Sequence, residues 1–244
     1  FYGGIRYFNT KTQKFEKISL NNNESNDADI RSFFEDKSGL IWVGTSQGIY
    51  VVNRDSKKMV KHYSLENNLV RSLYKDSKGR VWVGFFGDGM AVYSSDMKLI
   101  VSHNVDNNFP SNTVNTIFAD SRSNIWVGTG EGLVKFENGS LKKYHVYNRE
   151  SGLTNAHIFA ITEDREKNIW ISSNHGISCL IGGKNIIYNY GHRDDVPLGS
   201  FCRGSVAKDK ENNIYFGSIN GVCLFNPENV LKKSTSPNVI INKI

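Results

Sequence analysis

Five aspartates recur along the chain at nearly even intervals: Asp36, Asp76, Asp120, Asp164 and Asp209. Carboxylates carry glycoside hydrolysis, where a retaining mechanism needs two of them about 5 Å apart, one kept protonated by its surroundings. These five do not read as such a pair. Each repeats at one offset in the same turn-forming segment, so it belongs to the scaffold, and no acidic pair outside the repeat stands out. The six histidines, His62, His103, His145, His157, His175 and His192, are dispersed and show no HxH or HExxH metal spacing. Of these, His157 and His175 are the two that can share a rim. The three cysteines, Cys179, Cys202 and Cys223, give neither a disulfide framework nor a CxxC site. Cys179 and Cys223 take places held elsewhere by apolar residues and read as small buried hydrophobes. No Gly-x-Ser-x-Gly elbow or phosphate-cradling loop precedes a helix. The expectation is a chain with no catalytic residue, no metal and no cofactor.

The elements behind these residues are repeats. Ile41-Trp42-Val43-Gly44 returns as Val81-Trp82-Val83-Gly84, Ile125-Trp126-Val127-Gly128, Ile169-Trp170-Ile171-Ser172 and Ile214-Tyr215-Phe216-Gly217. The steps are 40, 44, 44 and 45 residues. A period of this length marks supersecondary units that bury their apolar faces only against one another. Each unit has a first apolar strand (Ile30 to Phe34, Val70 to Tyr74, Val114 to Phe118, Ile158 to Thr162), the Asp turn, the Trp strand, a glycine (Gly48, Gly89, Gly132, Gly176, Gly221), a third strand, and a more polar fourth one such as Lys58 to Tyr63 or Leu141 to Tyr147. In the turn, Gly39 and Gly79 stand three residues after the Asp, and Asn124, Asn168 and Asn213 four after it. Both types tolerate a left-handed backbone, so that slot is assigned positive φ and the turn is expected to vary by one residue. Four short strands per unit, without 3.6-residue periodicity, predict an all-β propeller of four-stranded antiparallel blades.

The predicted boundaries are a half blade over 1–20 and blades starting near 28, 68, 113, 156 and 201, all within a propeller spanning 1–235. Residues 239–244 read as a lone strand, and 236–244 as a strand or linker into a following domain. A chain that opens on the third strand of a unit reads as a piece of a larger ring, taken here as seven-bladed.

Recognition is expected where the units differ. At one end of a propeller channel, the turns joining second and third strands meet the segments that enter the first strands. In the first set stand Phe85, Phe86, Asp88, Glu131 and His175; in the second stands His157. Phe85-Phe86 replaces small polar residues of the other units, and flat aromatic faces suit the C–H surfaces of sugars. Arg31, Arg71 and Asn115 occupy one slot, directly after Ile30, Val70 and Val114, near the channel mouth, and Arg203 can join them. Arginine forks favour an acidic sugar or a sulfate.

With a net charge of +6 and a pI near 9.1, the chain is basic. The cations are scattered over turns and outer strands, as in Lys57-Lys58, Lys142-Lys143 and Lys232-Lys233, where they block edge pairing. A nucleic-acid binder clusters them among aromatics, so no nucleic-acid partner is expected. No apolar run approaches the 18 residues of a membrane span.

Asp, then Gly or Asn, then Ile/Val-Trp-Val-Gly-Thr, then Gly-Leu/Ile, resembles the two-component regulator propeller repeat. The fullest copies are Glu35 to Ile49 and Asp120 to Leu133. Gly152-Leu153-Thr154-Asn155-Ala156-His157-Ile158 is similar to the family's entry segment, and Leu224-Phe225-Asn226-Pro227 to the end of its last blade. Unit five departs from the pattern, with Tyr215 for Trp, and Arg203 and Gly204 interrupting its first strand. The resemblance implies a periplasmic, non-catalytic sensor propeller of a hybrid two-component receptor that is membrane-anchored and dimeric at full length. It also implies an oligosaccharide ligand released from a complex glycan. Two alternatives remain: a propeller enzyme acting on polysaccharide, and a protein-interaction scaffold.

Overall fold

Runs of four to six β-branched and aromatic residues, broken by Gly, Asn and Asp turns, leave room for little except short strands. The computed structural model describes residues 5–18, 20, 29–65, 69–197 and 199–232. The hairpin β1 (Ile5–Asn9) and β2 (Lys14–Ile18) comes first. Four antiparallel four-stranded meanders follow: β3 (Ile30–Glu35) to β6 (Met59–Tyr63), β7 (Val70–Lys75) to β10 (Leu99–His103), β11 (Val114–Ala119) to β14 (His145–Tyr147), and β15 (Ile158–Glu163) to β18 (Ile187–Tyr190). The fifth blade has three strands among the described residues, β19 (Phe201–Lys208), β20 (Ile214–Ser218) and β21 (Gly221–Phe225), and leads into the short helix α1 (Pro227–Lys232). The fold is an all-β propeller with five blades. Of the fourth strand expected over Leu141 to Tyr147, the part from His145 on is strand, and the helix α1 was not anticipated. The strand expected over 239–244 lies outside the described residues.

The cores lie between blades. Along β4 (Leu40–Thr45), Trp42 faces the second blade and packs with Val70, Leu73, Val83 and Phe85, while Val43 faces the opposite way onto Ile5 and Ile18. Period-two alternation therefore serves two interfaces at once, which is why the Trp strands are apolar throughout. The other interfaces repeat the scheme: Trp82 packs with Val114 and Ile117, Trp126 with Ile158 and Ile161, and Trp170 with Phe201 and Phe216. The glycine after each Trp-Val pair admits the neighbouring blade. A Cβ on Gly84 would lie 2.3 Å from Val114 Cγ1, and one on Gly44 2.6 Å from Val70 Cγ1. On the fifth blade, Val222 and Leu224 are 63% and 56% exposed. Ile49 and Val51, their counterparts on the first blade, are buried under the second.

The Asp turn departs from the expectation in two ways. Its length does not vary: in all five blades the Asp amide bonds the carbonyl four residues on, and the amide three residues on bonds the Asp carbonyl. The positive φ always falls on that third residue, Gly39, Gly79, Ser123, Lys167 and Asn212, and not on Asn124, Asn168 or Asn213. Those asparagines have a different task. Asn124 Nδ2 donates to Asp120 Oδ2 at 2.7 Å, and its Oδ1 accepts from the Asn138 amide in the next hairpin. Asn168 repeats the pattern with Asp164 and the Gly182 amide. In the first two blades cations take over, Lys75 Nζ on Asp36 and Arg80 on Asp76. The second oxygen of each Asp receives the indole N–H six residues on, at 3.0, 2.9, 2.9 and 2.8 Å from Trp42, Trp82, Trp126 and Trp170. Tyr215 reaches Asp209 through its hydroxyl at 2.9 Å.

Candidate functional site

The first strand of each blade opens with an irregular pair. Ile30 pairs with Thr45 and Ser32 with Gly44, so Arg31 has no partner opposite it. Arg71, Asn115 and Phe159 are skipped in the same way in blades two to four. A β-bulge redirects one side chain out of the alternating pattern. Here it brings Arg31, Arg71 and Asn115 to the channel mouth, whereas Phe159 is buried in the core with Trp170 and Phe201. In the fifth blade Phe201 pairs with Ser218 and the register resumes with Val206 against Phe216, so four residues, Cys202 to Ser205, stand opposite Gly217 alone, with Gly204 at φ +63. This longer excursion carries Arg203 across the channel to Asn115 of the third blade.

The result is a cavity of about 750 Å³ lined by Arg31, Arg71, Asn115 and Arg203, with Asp29 and Phe33 on its wall. Arg31 pairs with Asp29. Arg71 Nη1 donates to Asn115 Oδ1 at 3.1 Å, and Arg203 Nε donates to the same oxygen at 3.2 Å. Asn115 Nδ2 in turn donates to the Ile158 carbonyl at 2.9 Å, which joins the third blade to the fourth. The Arg71 guanidinium lies 3.9 Å from the Phe86 ring centre, and that of Arg203 lies 5.4 Å from Phe159. Burial, then Arg203 and Arg31, hold the Arg71 pKa down at about 10.

The two phenylalanines separate. Phe85 is 3% exposed and fills the core between the first two blades, so it offers a ligand no surface. It stands where the other blades carry Thr45, Thr129, Ser173 and Ser218, whose hydroxyls donate to the carbonyl of the glycine three residues on. Phe86 is 47% exposed beside the channel. The two loop sets do meet: Ser46, Phe86, Gly130 and Ile219 amides bond the carbonyls of Asp29, Leu69, Thr113 and Ser200. Asp88, Glu131 and His175 are exposed in the rim turns, outside the cavity lining. His157 is half-buried against Phe159, with ring centres 4.8 Å apart, and its Nε2 is buried without a hydrogen-bond partner. Burial, then Arg203, lower its pKa; Arg71 adds to this and Glu131 opposes it. His175 is not brought to the same place.

Sequence reasoning passed over Phe159 and Phe33. Phe159 follows Ile158 as Arg71 follows Val70, so the slot itself was the available sign. Cys179 is fully buried, and burial raises its thiol pKa, which removes it as a nucleophile. Among the described residues no three His, Cys, Asp or Glu side chains gather as metal ligands.

The bladed fold with a polar, arginine-rich channel mouth defines the chain as a β-propeller. The two component regulator propeller family matches residues 24–47, 64–87, 108–131 and 152–175, and the chain belongs to that repeat family. It is 44% identical, with a TM-score of 0.92, to the extracellular domain assigned to a hybrid two component system, BT3049, from B. thetaiotaomicron; the match covers 99% of this chain and 33% of that one. The extracellular domain assigned to BT4673 of the same organism shares the fold at 18% identity and a TM-score of 0.73, over 92% of this chain and 31% of that one. Virginiamycin B lyase from Staphylococcus aureus shares it at 15% identity and a TM-score of 0.63, over 83% and 71%. At these lower identities the likeness concerns the fold alone. The chain spans about a third of the length of the extracellular domains it matches. No curated protein sequence matches it.

Proposed function

We propose that this chain is the ligand-sensing propeller of an extracytoplasmic two-component receptor, and that it binds an oligosaccharide at the channel mouth without cleaving it. The observation that carries the reading is the cavity where Arg71, Asn115 and Arg203 converge beside the exposed Phe86. One face of Phe86 is covered by Arg71, and its remaining exposed surface is free to take a sugar ring. A volume of about 750 Å³ is in the range of small-ligand sites. The likeness to an extracellular domain of a hybrid two component system supports a receptor and an extracytoplasmic place; the periplasmic compartment and the dimeric, membrane-anchored whole are part of the proposal. The non-catalytic reading rests on the repeated aspartates, each of which is occupied by its own turn.

Titration calorimetry against oligosaccharides released from complex glycans tests the site. Phe86→Ala is expected to weaken the best ligand by more than about 1 kcal/mol, as truncation of a contact residue at a binding hot spot does. An unchanged affinity removes Phe86 and the channel mouth from the site. Incubation of the protein with the parent glycans is expected to leave them intact; cleavage products would establish the enzymatic alternative.

A further inference from the structure

Among the described residues, the channel mouth holds more positive charge than its carboxylates balance. Arg31 is neutralised by Asp29. Arg71 and Arg203 have no carboxylate partner among the described residues, and both donate to one uncharged oxygen, Asn115 Oδ1. Their donor nitrogens are therefore no further apart than those two bonds laid end to end. At that range like charges repel appreciably in a partly desolvated setting. The amide cannot turn over to change its role, because its Nδ2 is committed to the Ile158 carbonyl in the next blade. A glutamine or methionine at either arginine position would remove the repulsion. Phe86 and Phe159 lie against the two guanidiniums, and a guanidinium packed on a ring still offers its N–H groups outward along its edge.

A second observation stands apart from the charges. His157 Nε2 is buried with no hydrogen-bond partner. The imidazole packs edge-on against Phe159 and stands outside the residues that line the cavity. The ring is kept neutral by burial and by Arg203 and Arg71, and a neutral imidazole offers one N–H donor.

We infer that this channel mouth recognises an anionic group, with Arg71 and Arg203 closing on a carboxylate or sulfate carried by the bound saccharide. The inference rests on the channel being the ligand site and fixes the ligand class as acidic oligosaccharides. Forked N–H donors from two arginines match the oxygens of either anion. The grip also has a mechanical consequence. Arg71 belongs to the second blade and Arg203 to the fifth, so a bound anion would bridge these two blades directly, beside the existing link through Asn115 of the third blade and the Ile158 carbonyl of the fourth.

The test measures binding by the whole protein and by its Arg71→Gln, Arg203→Gln and Phe86→Ala variants. The ligands are three disaccharides of matched size, one neutral, one bearing a uronate and one bearing a sulfate, together with sodium sulfate alone. The expected result is that at least one acidic disaccharide binds at least tenfold more tightly than the neutral one, and that its affinity falls as salt rises. Each glutamine variant loses tenfold or more, and its ligand-free melting temperature is unchanged or higher. The uronate and sulfate arms identify which anion is read. Tight binding of the neutral disaccharide that depends on Phe86 but not on the arginines overturns the anion inference and leaves the saccharide reading standing. Binding of sulfate alone, through both arginines, with no disaccharide bound, overturns the saccharide reading and with it the acidic-oligosaccharide class. Glutamine variants that melt well below the parent protein overturn the inference by making the arginines structural.

Discussion

Replacing Asp120 by alanine tests the structural reading of the repeated aspartate most directly. Asp120 accepts four hydrogen bonds: from the Arg122 amide at 2.9 Å, the Asn124 amide at 2.8 Å, Asn124 Nδ2 at 2.7 Å and Trp126 Nε1 at 2.9 Å. Asp120, Asn124 and Trp126 are all buried. Alanine strands three buried donors and one near the surface. Each stranded buried donor costs about 1–3 kcal/mol, and entry of water into the small space left favours the lower end, so the expected loss is about 4 kcal/mol. For a chain of this size, about 2–4 °C of melting temperature accompanies each kcal/mol, which gives a drop of about 8–16 °C by calorimetry. Asp120→Asn separates hydrogen bonding from packing: it keeps the volume but presents an NH2 group to two donors, and should melt well below the parent. Asp209→Ala should fall clearly less, because that turn is more open to water. An Asp120→Ala shift below about 3 °C, or a neutral Asp120→Asn, would refute the account.

Three further outcomes follow from the same geometry. Gly84→Ala places a methyl 2.3 Å from the β-branched Val114, so urea unfolding should show a loss of about 1–3 kcal/mol, partly recovered in a double mutant with Val114→Ala. Ser172, in the matching position of the fourth blade, pairs with Ala160, where the other blades carry Ser32, Ser72 and Thr116 against Gly44, Gly84 and Gly128; Ala160→Thr should therefore destabilise that blade. Burial pushes the Asp36 carboxyl up, but bonds from Ser38, Lys75 and Trp42 outweigh it and hold the group well below the usual carboxylate range. A carboxyl depressed in the folded state contributes stability that is complete above its unfolded value, near 4, and is lost as pH falls toward the folded one. Urea midpoints measured from pH 6 down to pH 2 should therefore fall below about pH 4, and less steeply in Asp36→Asn.

The unit, its strand order and its structural aspartate were legible in the sequence because they are local. Asp36 and Trp42 sit six apart within one hairpin, and the apolar alternation of Ile41 to Gly44 is set by the strand itself. Parity did not separate Phe85 from Phe86, because both faces of that strand are core: Val81, Val83 and Phe85 share one and Trp82 lies on the other. What the asparagines do was not legible from their left-handed propensity, because their bonds run to the next hairpin, as from Asn124 to the Asn138 amide. Tertiary structure alone decided the candidate site. A bulge shifts register against a partner strand, so only the pairing reveals that Arg31, Arg71, Asn115 and Phe159 leave the alternation. Only the closing of separate blades around one axis brings Arg203 to Asn115, 88 residues earlier in the chain. Spacing along a chain fixes what a hairpin does; distance across a channel depends on how blades pack, and no local preference encodes it.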